Sequence, residues 1–194
     1  MTRTSYAVDN SAILYLALMR RSHTNSYRFT VTMDEDVDPN ALQQAMDRVY
    51  RRFPTIIAGF RRDLLRYRVV PADSAPTVLP DPGLLIPMSR QEIRHCAYRI
   101  FYSGRDISLE AFHALTDGYG ALASLTTLIA EYLHIRGGTD LSACTTVRRA
   151  VDAPTAHELE DSYLTHQQGK PLHLPSRYAY QLPGKYTDPR VYPC

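Results

Sequence analysis

Hydrophobic positions recur along this chain with two different periods, and the period sorts its segments. Between Tyr27 and Met33, the residues Tyr27, Phe29, Val31 and Met33 alternate with Arg28, Thr30 and Thr32. That two-residue repeat belongs to a strand with one face buried. From Asp38 onward the repeat lengthens. Leu42, Ala45, Met46, Val49, Tyr50 and Phe53 share one face of a helix that Asp38 caps, Pro39 opens and Pro54 stops. Arg48, Arg51 and Arg52 stand near its C-terminal end, where cations complement the helix dipole. Ile56 to Phe60 and Leu65 to Val70 predict two strands around a polar turn, and the prolines between Pro71 and Pro87 allow only short extended pieces. Ala97 to Tyr102 and Ile107 to Phe112 predict a hairpin around Ser103-Gly104-Arg105-Asp106. Gly118 to His134 predicts an amphipathic helix burying Ala121, Leu122, Leu125, Leu128, Ile129, Tyr132 and Leu133, with a stop signal at Arg136 and Gly137. Ahead of all these, Asp9-Asn10-Ser11 offers caps for a helix reaching about Met19. It is apolar nearly all round, so burial is expected.

Helices interspersed with at least five strands predict an α/β two-layer sandwich of the α+β kind, with helices flanking a mixed or antiparallel sheet. After Gly138 the composition turns polar and Pro-rich, with a weak helical pattern only near Ala156 to Tyr163. The expected organisation is therefore a compact unit over 1–138 and a tail over 139–194. A hydrophobic fraction of 44% in 194 residues permits a sizeable core.

Charge and cysteine usage narrow the function classes. A net charge of +2, with no basic run interleaved with aromatics, argues against nucleic acid as a partner. The pairs Arg51-Arg52 and Arg61-Arg62 read as a solvated helix end and a strand edge. Cys96, Cys144 and Cys194 are odd in number and widely spaced, which suits a reducing compartment and argues against disulfides or zinc. The apolar run Ala12 to Met19 is far shorter than the roughly 20 residues a bilayer needs. Asp9 before it and Arg20-Arg21 after it also make a poor signal peptide. A cytoplasmic protein without a membrane span is expected.

The candidate chemistry lies at Phe112-His113-Ala114-Leu115-Thr116-Asp117-Gly118. The predicted strand ends just before His113 and the predicted helix begins at Gly118, so backbone on both sides holds the imidazole. Histidine suits proton abstraction because the ordinary imidazole pKa, about 6.5, lies near neutral pH. Asp117 is placed to cap the helix, and Gly118 to allow close backbone approach. By average residue usage, His-x-x-x-Asp-Gly arises by chance in a chain of this length about once in a hundred. The remaining histidines share no metal-ligand spacing, the cysteines lack an activating motif, and no glycine-rich loop follows a strand. No metal site and no covalently bound cofactor are expected.

This motif resembles the HxxxDG signature of the chloramphenicol acetyltransferase-like superfamily, which includes condensation domains and CoA-dependent acyltransferases. The surrounding Ile107 to Gly120 looks most like the bacterial alcohol acetyltransferase-like branch. Asp9-Asn10, Val37-Asp38-Pro39, Arg51-Arg52-Phe53-Pro54 and the stretch from Asp161-Ser162-Tyr163 through Ala179-Tyr180 are similar to it as well. Family members are about double this length; the resemblance covers their first half, and their Asp-Phe-Gly-Trp-Gly-like segment has no counterpart here. The resemblance implies acyl transfer from acetyl-CoA or another acyl thioester to an alcohol or amine, with His113 as general base. It implies that Asp117 braces the loop through a buried Arg, that Gly118 supports the motif, and that 139–194 resembles the crossover to a second half. Activity would then need a complementary second-half chain or a homodimer. The alternatives are a non-catalytic binding or assembly module, a truncated remnant, and a condensation-type fragment whose donor rides on a carrier protein.

Overall fold

The structure, a computed structural model, describes residues 4–19, 25–62, 66–139, 144 and 147–160. The elements in chain order are β1 (Tyr6–Ala7), α1 (Asn10–Leu18), β2 (Ser26–Thr32), α2 (Pro39–Val49), β3 (Ala58–Arg62), β4 (Tyr67–Pro71), β5 (Leu79–Pro80), α3 (Arg90–His95), β6 (Tyr98–Ser103), β7 (Asp106–Phe112), α4 (Gly118–Gly137) and α5 (Ala156–Leu159). A 3-10 turn over Tyr50–Arg52 continues α2. The strands divide between two sheets. One is antiparallel in the order β1-β4-β3; the other runs β2-β7-β6-β5, with β5 the one strand parallel to its neighbour.

Local chemistry accounts for the helix starts. Asp38 accepts from the amides of Asn40 at 2.9 Å and Ala41 at 3.3 Å, and Pro39 is preset for the first turn. Ser89 and Glu92 form a reciprocal capping box on α3 (Glu92 N–H to Ser89 Oγ 3.2 Å, Ser89 N–H to Glu92 Oε2 2.8 Å), a signal the hydrophobic periodicity alone passes over.

The register of the larger sheet sorts residues by face. Tyr27, Phe29 and Val31 lie beside Ala111, Leu109 and Ile107, which lie beside Tyr98, Ile100 and Tyr102. Against this face pack Leu42, Ala45, Met46 and Val49 of α2 with Ala121, Leu125, Leu128 and Tyr132 of α4. Leu122 turns out from this core and is 46% exposed, contrary to its predicted place on the buried face. Ser124 and Thr127 are buried instead, satisfied by the Ala121 and Ala123 carbonyls at 2.7 and 2.8 Å. A second core lies around the smaller sheet, where Phe60 and Val69 join Ala12, Met88, Ile93, Ala97, Phe112 and Ala114.

The expectation that α1 is buried fails. Asp9 caps it as predicted, accepting from Ala12 N–H at 2.6 Å, yet Ala12 is the one buried side chain among its described residues. Ile13, Leu14 and Leu18 are 46%, 56% and 53% exposed. A helix that is apolar all round needs neighbours on every side, and among the described residues α1 packs on the second core along one side.

The opposite face of the larger sheet holds charges. Glu110 is fully buried at the centre of β7. Its Oε1 accepts from Arg28 Nη2 at 2.6 Å and Nε at 3.1 Å across β2, and its Oε2 accepts from Arg99 Nη1 at 3.2 Å across β6. Arg28 also meets Asp81 at 2.8 Å, and the carbonyls of Leu84 and Ile86 accept from Arg28 and Arg99. Another ion pair changes the reading of Arg51-Arg52 as a solvated helix end. Arg51 is exposed and lies over the Tyr50 ring, but Arg52 is 5% exposed and donates to Glu158 at 2.8 and 3.0 Å. That contact fastens the start of α5 to the end of α2.

Two predictions follow from these ion pairs. Glu110→Ala strands two cations on the buried face and is expected to lower unfolding stability by about 3 kcal/mol in urea titration; Glu110→Gln, which keeps an acceptor, loses less. The Arg52 hydrogen bonds hold the Glu158 carboxyl well below its ordinary 4.5, at about 2. Because this pKa is depressed in the folded state, the contact stabilises fully above the unfolded value and is lost as pH falls through about 2. The urea midpoints of wild type and Glu158→Gln should therefore differ at neutral pH and converge below pH 2.

Candidate functional site

The end of β7 and the start of α4 meet where the sequence pattern places them, and His113 stands in the turn between. Its backbone N–H donates to the Asn25 carbonyl at 2.7 Å, just ahead of β2. The Asn25 side chain donates to the Tyr15 carbonyl of α1 at 3.0 Å. One asparagine thus ties α1, β2 and the histidine together. His113 is exposed, yet its ring is flanked by two aromatic rings. Tyr15 stacks on it, with centroids 4.7 Å apart and planes at 8°, and Tyr27 meets it edge-on at 4.9 Å and 63°. No described side chain hydrogen-bonds a ring nitrogen, and the two aromatic contacts orient the imidazole.

Tyr27 also fixes the far side of the turn. Its hydroxyl lies 3.0 Å from the Thr116 carbonyl and 2.8 Å from the Asp117 carbonyl and donates there. Burial, with the nearby Asp117 carboxylate adding to it, pushes the phenol up to about 12, so it keeps its proton throughout the neutral range.

Asp117 caps α4, accepting from the Gly120 N–H at 2.9 Å. It is exposed, and among the described residues no Arg pairs with it, so its described role is the cap rather than a buried ion pair. Within the described fold, the tight glycine contact falls at Gly120 rather than at Gly118. A Cβ at Gly118 would meet Phe29 Cζ at 3.6 Å, an ordinary contact. At Gly120 a Cβ would overlap Thr116 Oγ1 and come within 3.3 Å of Ile56 Cδ1. The turn closes back on the first turn of the helix, and Gly120 leaves it room.

Periodicity and spacing found His113 and Asp117 but not Tyr15, Asn25 or Gly120. Tyr27 carried a partial signal, being on the inward face of the alternating strand. Tyr15 carried none, since nothing in an all-apolar helix distinguishes the residue that touches a distant turn. The remaining candidates stay apart from this site. Burial pushes the Cys96 thiol up to about 11, so it is held as the protonated thiol. No group of three or more His, Cys, Asp or Glu with metal-binding placement occurs among the described residues, and no described helix is long and apolar enough to cross a membrane. Cys194 and the stretch 161–194 lie outside the described residues.

The two glycines separate by substitution. Gly118→Ala is expected to leave stability unchanged or raise it slightly through helix propensity, whereas Gly120→Ala forces the Thr116 hydroxyl and the Ile56 side chain to shift and is expected to be the less stable of the two. Thermal unfolding of the two variants side by side checks the ordering.

No protein-family model and no curated protein sequence matches the chain. Solved structures do share its fold. It is similar to the polyketide synthase associated protein 5 of Mycobacterium tuberculosis, with a TM-score of 0.52 at 15% identity over 71% of this chain and 36% of that one. It is also similar to the starter condensation domain of rhizomide synthetase (TM-score 0.55, 16% identity, 70% of this chain and 39% of that one). The first condensation domain of the calcium-dependent antibiotic synthetase gives a TM-score of 0.56 at 15% identity, over 75% of this chain and 43% of that one. At such identities the likeness shows the fold. The chain spans well under half the length of these relatives, and its α+β arrangement is that of one part of a condensation-domain, chloramphenicol acetyltransferase-like fold.

Proposed function

We propose that this chain is the base-bearing part of an acyltransferase, with His113 deprotonating an alcohol or amine that attacks an acyl thioester. The observation that carries the reading is the exposed His113 itself, its ring held between Tyr15 and Tyr27 at a strand-to-helix turn. In this reaction a ring nitrogen takes the acceptor proton as the acceptor oxygen or nitrogen bonds to the thioester carbonyl carbon. The carbonyl becomes a tetrahedral oxyanion, which collapses and expels the thiolate; the imidazolium returns its proton to that sulfur. Holding donor and acceptor together at the imidazole supplies much of the rate. Asp117 and Tyr27 act as positioning residues, because they fix the turn and not the reacting atoms.

The likeness of Ile107–Gly120 to the alcohol acetyltransferase-like branch favours acetyl-CoA as donor. The condensation domains among the fold relatives support the second choice, an acyl group on a carrier protein. The short span of the shared fold supports a further requirement, a complementary second half that completes the site, whether on a further segment, another chain or a second copy. Exposed Ile13, Leu14 and Leu18 on α1, with Tyr119 and Leu122 on α4, give such a partner apolar surface on the two helices flanking the motif. The same surface favours one other reading, a binding module that keeps the fold without the chemistry.

Light scattering identifies the assembled form, and CoA release from acetyl-CoA with a panel of alcohols and amines then tests it. His113→Ala is expected to reduce turnover by about 10²–10⁴-fold. Equal rates in wild type and variant overturn the reading, and a stable complex that transfers nothing assigns the chain to the binding module.

A further inference from the structure

The sequence presents Arg61-Arg62 as a charged strand edge, but the fold adds to it. Gly59 lies two residues before Arg61 in β3, and its backbone runs directly against the end of α3. A Cβ at Gly59 would overlap the Arg94 carbonyl oxygen and sit 2.7 Å from the His95 carbonyl carbon. Only a glycine allows the two main chains to touch in this way. At roughly 3.3 Å per residue, Arg61 and Arg62 follow about 7–10 Å further along the strand. Arg94 and His95 end the helix beside them. Together these four residues line one cleft of about 520 Å³.

Its charges are nearly uncompensated. Among the described residues the lining includes no carboxylate. Arg61 has one loose partner, Asp73 at 3.9 Å, with the two side chains 43% and 58% exposed. Arg62 lies over the Tyr67 ring, its guanidinium carbon 5.8 Å from the centroid, and Arg94 makes no described ion pair. Several other arginines are spent on carboxylates: Arg28 and Arg99 on Glu110, Arg48 on Glu131, Arg52 on Glu158. Three arginines lining one concavity raise a positive potential in it that favours an anion.

We infer that the cleft of Arg61, Arg62, Arg94 and His95 binds the phosphate group of a small phosphorylated molecule. Guanidinium forks match phosphate oxygens bidentately, and His95 adds an imidazole N–H donor. The volume is within the range of small-molecule sites, about 300–1,000 Å³. The cleft is built from β3 and α3 and shares no lining residue with the His113 turn, so this assignment stands apart from the acyl-transfer reading.

Calorimetric titration of the full chain with inorganic pyrophosphate tests it, using wild type, Arg61→Gln/Arg94→Gln and Arg62→Gln, with Arg105→Gln in the exposed hairpin turn as control. Thermal unfolding reports whether each variant is folded. The expected result is saturable binding by wild type and the control, about tenfold or more weaker in the double variant and several-fold weaker in Arg62→Gln. No binding by wild type, or equal loss in the control, overturns the site. A parallel arm adds phosphatidylglycerol vesicles. Vesicle binding that pyrophosphate does not compete away also overturns it, in favour of a lipid headgroup surface.

Discussion

A carboxylate with no solvent contact must have cations beside it, and Glu110 meets that requirement by drawing one arginine from each neighbouring strand. The pairing fixes more than charge. Arg28 and Arg99 reach Glu110 only if β2, β7 and β6 hold the observed register, since a one-residue slip would send each guanidinium to the helix-covered face. The same two arginines anchor the loop after β5 through Asp81 and the Leu84 and Ile86 carbonyls. The register that Glu110 enforces is also what delivers Phe112 to the second core and His113 to the end of the strand. The catalytic candidate is therefore placed by a buried ion pair three residues upstream.

Most of the fold was legible because each main element carries a local signal. The alternation at Tyr27 to Met33, the Asp38-Pro39 start and the heptad-like run Leu42 to Val49 need no tertiary knowledge. What escaped depended on long-range partners. The burial of Glu110 cannot be read from a strand in which Ile107, Leu109 and Ala111 already account for the apolar face, because its partners lie 82 and 11 residues away. Arg52 read as a helix-end cation, and Glu158, 106 residues distant, made it a buried one. The exposure of α1 is the converse case: its composition demands burial, and the described chain supplies cover for one side.

The site shows the same division. His113 and Asp117 are visible as a motif because they are close in sequence. Their surroundings, Tyr15 and Asn25 from almost a hundred residues earlier, exist only in three dimensions. The basic cleft likewise joins a dipeptide to the end of a helix some thirty residues on, through a glycine whose meaning appears only when the facing carbonyl is known. Sequence spacing finds chemistry that is local along the chain and passes over chemistry assembled by packing.

The stack of Tyr15 on His113 has a dynamic consequence. Hydrogen-exchange studies of proteins show that segments with little buried surface open at a small fraction of the global unfolding free energy. With Ala12 as its one described buried side chain, α1 belongs to that weakly held class, whereas β2 and β7 are locked by a full ladder and an ion triad. The imidazole therefore rests between a rigid wall, Tyr27, and a yielding one, Tyr15. Each excursion of α1 releases the histidine to rotate, and whatever settles on α1 slows that clock.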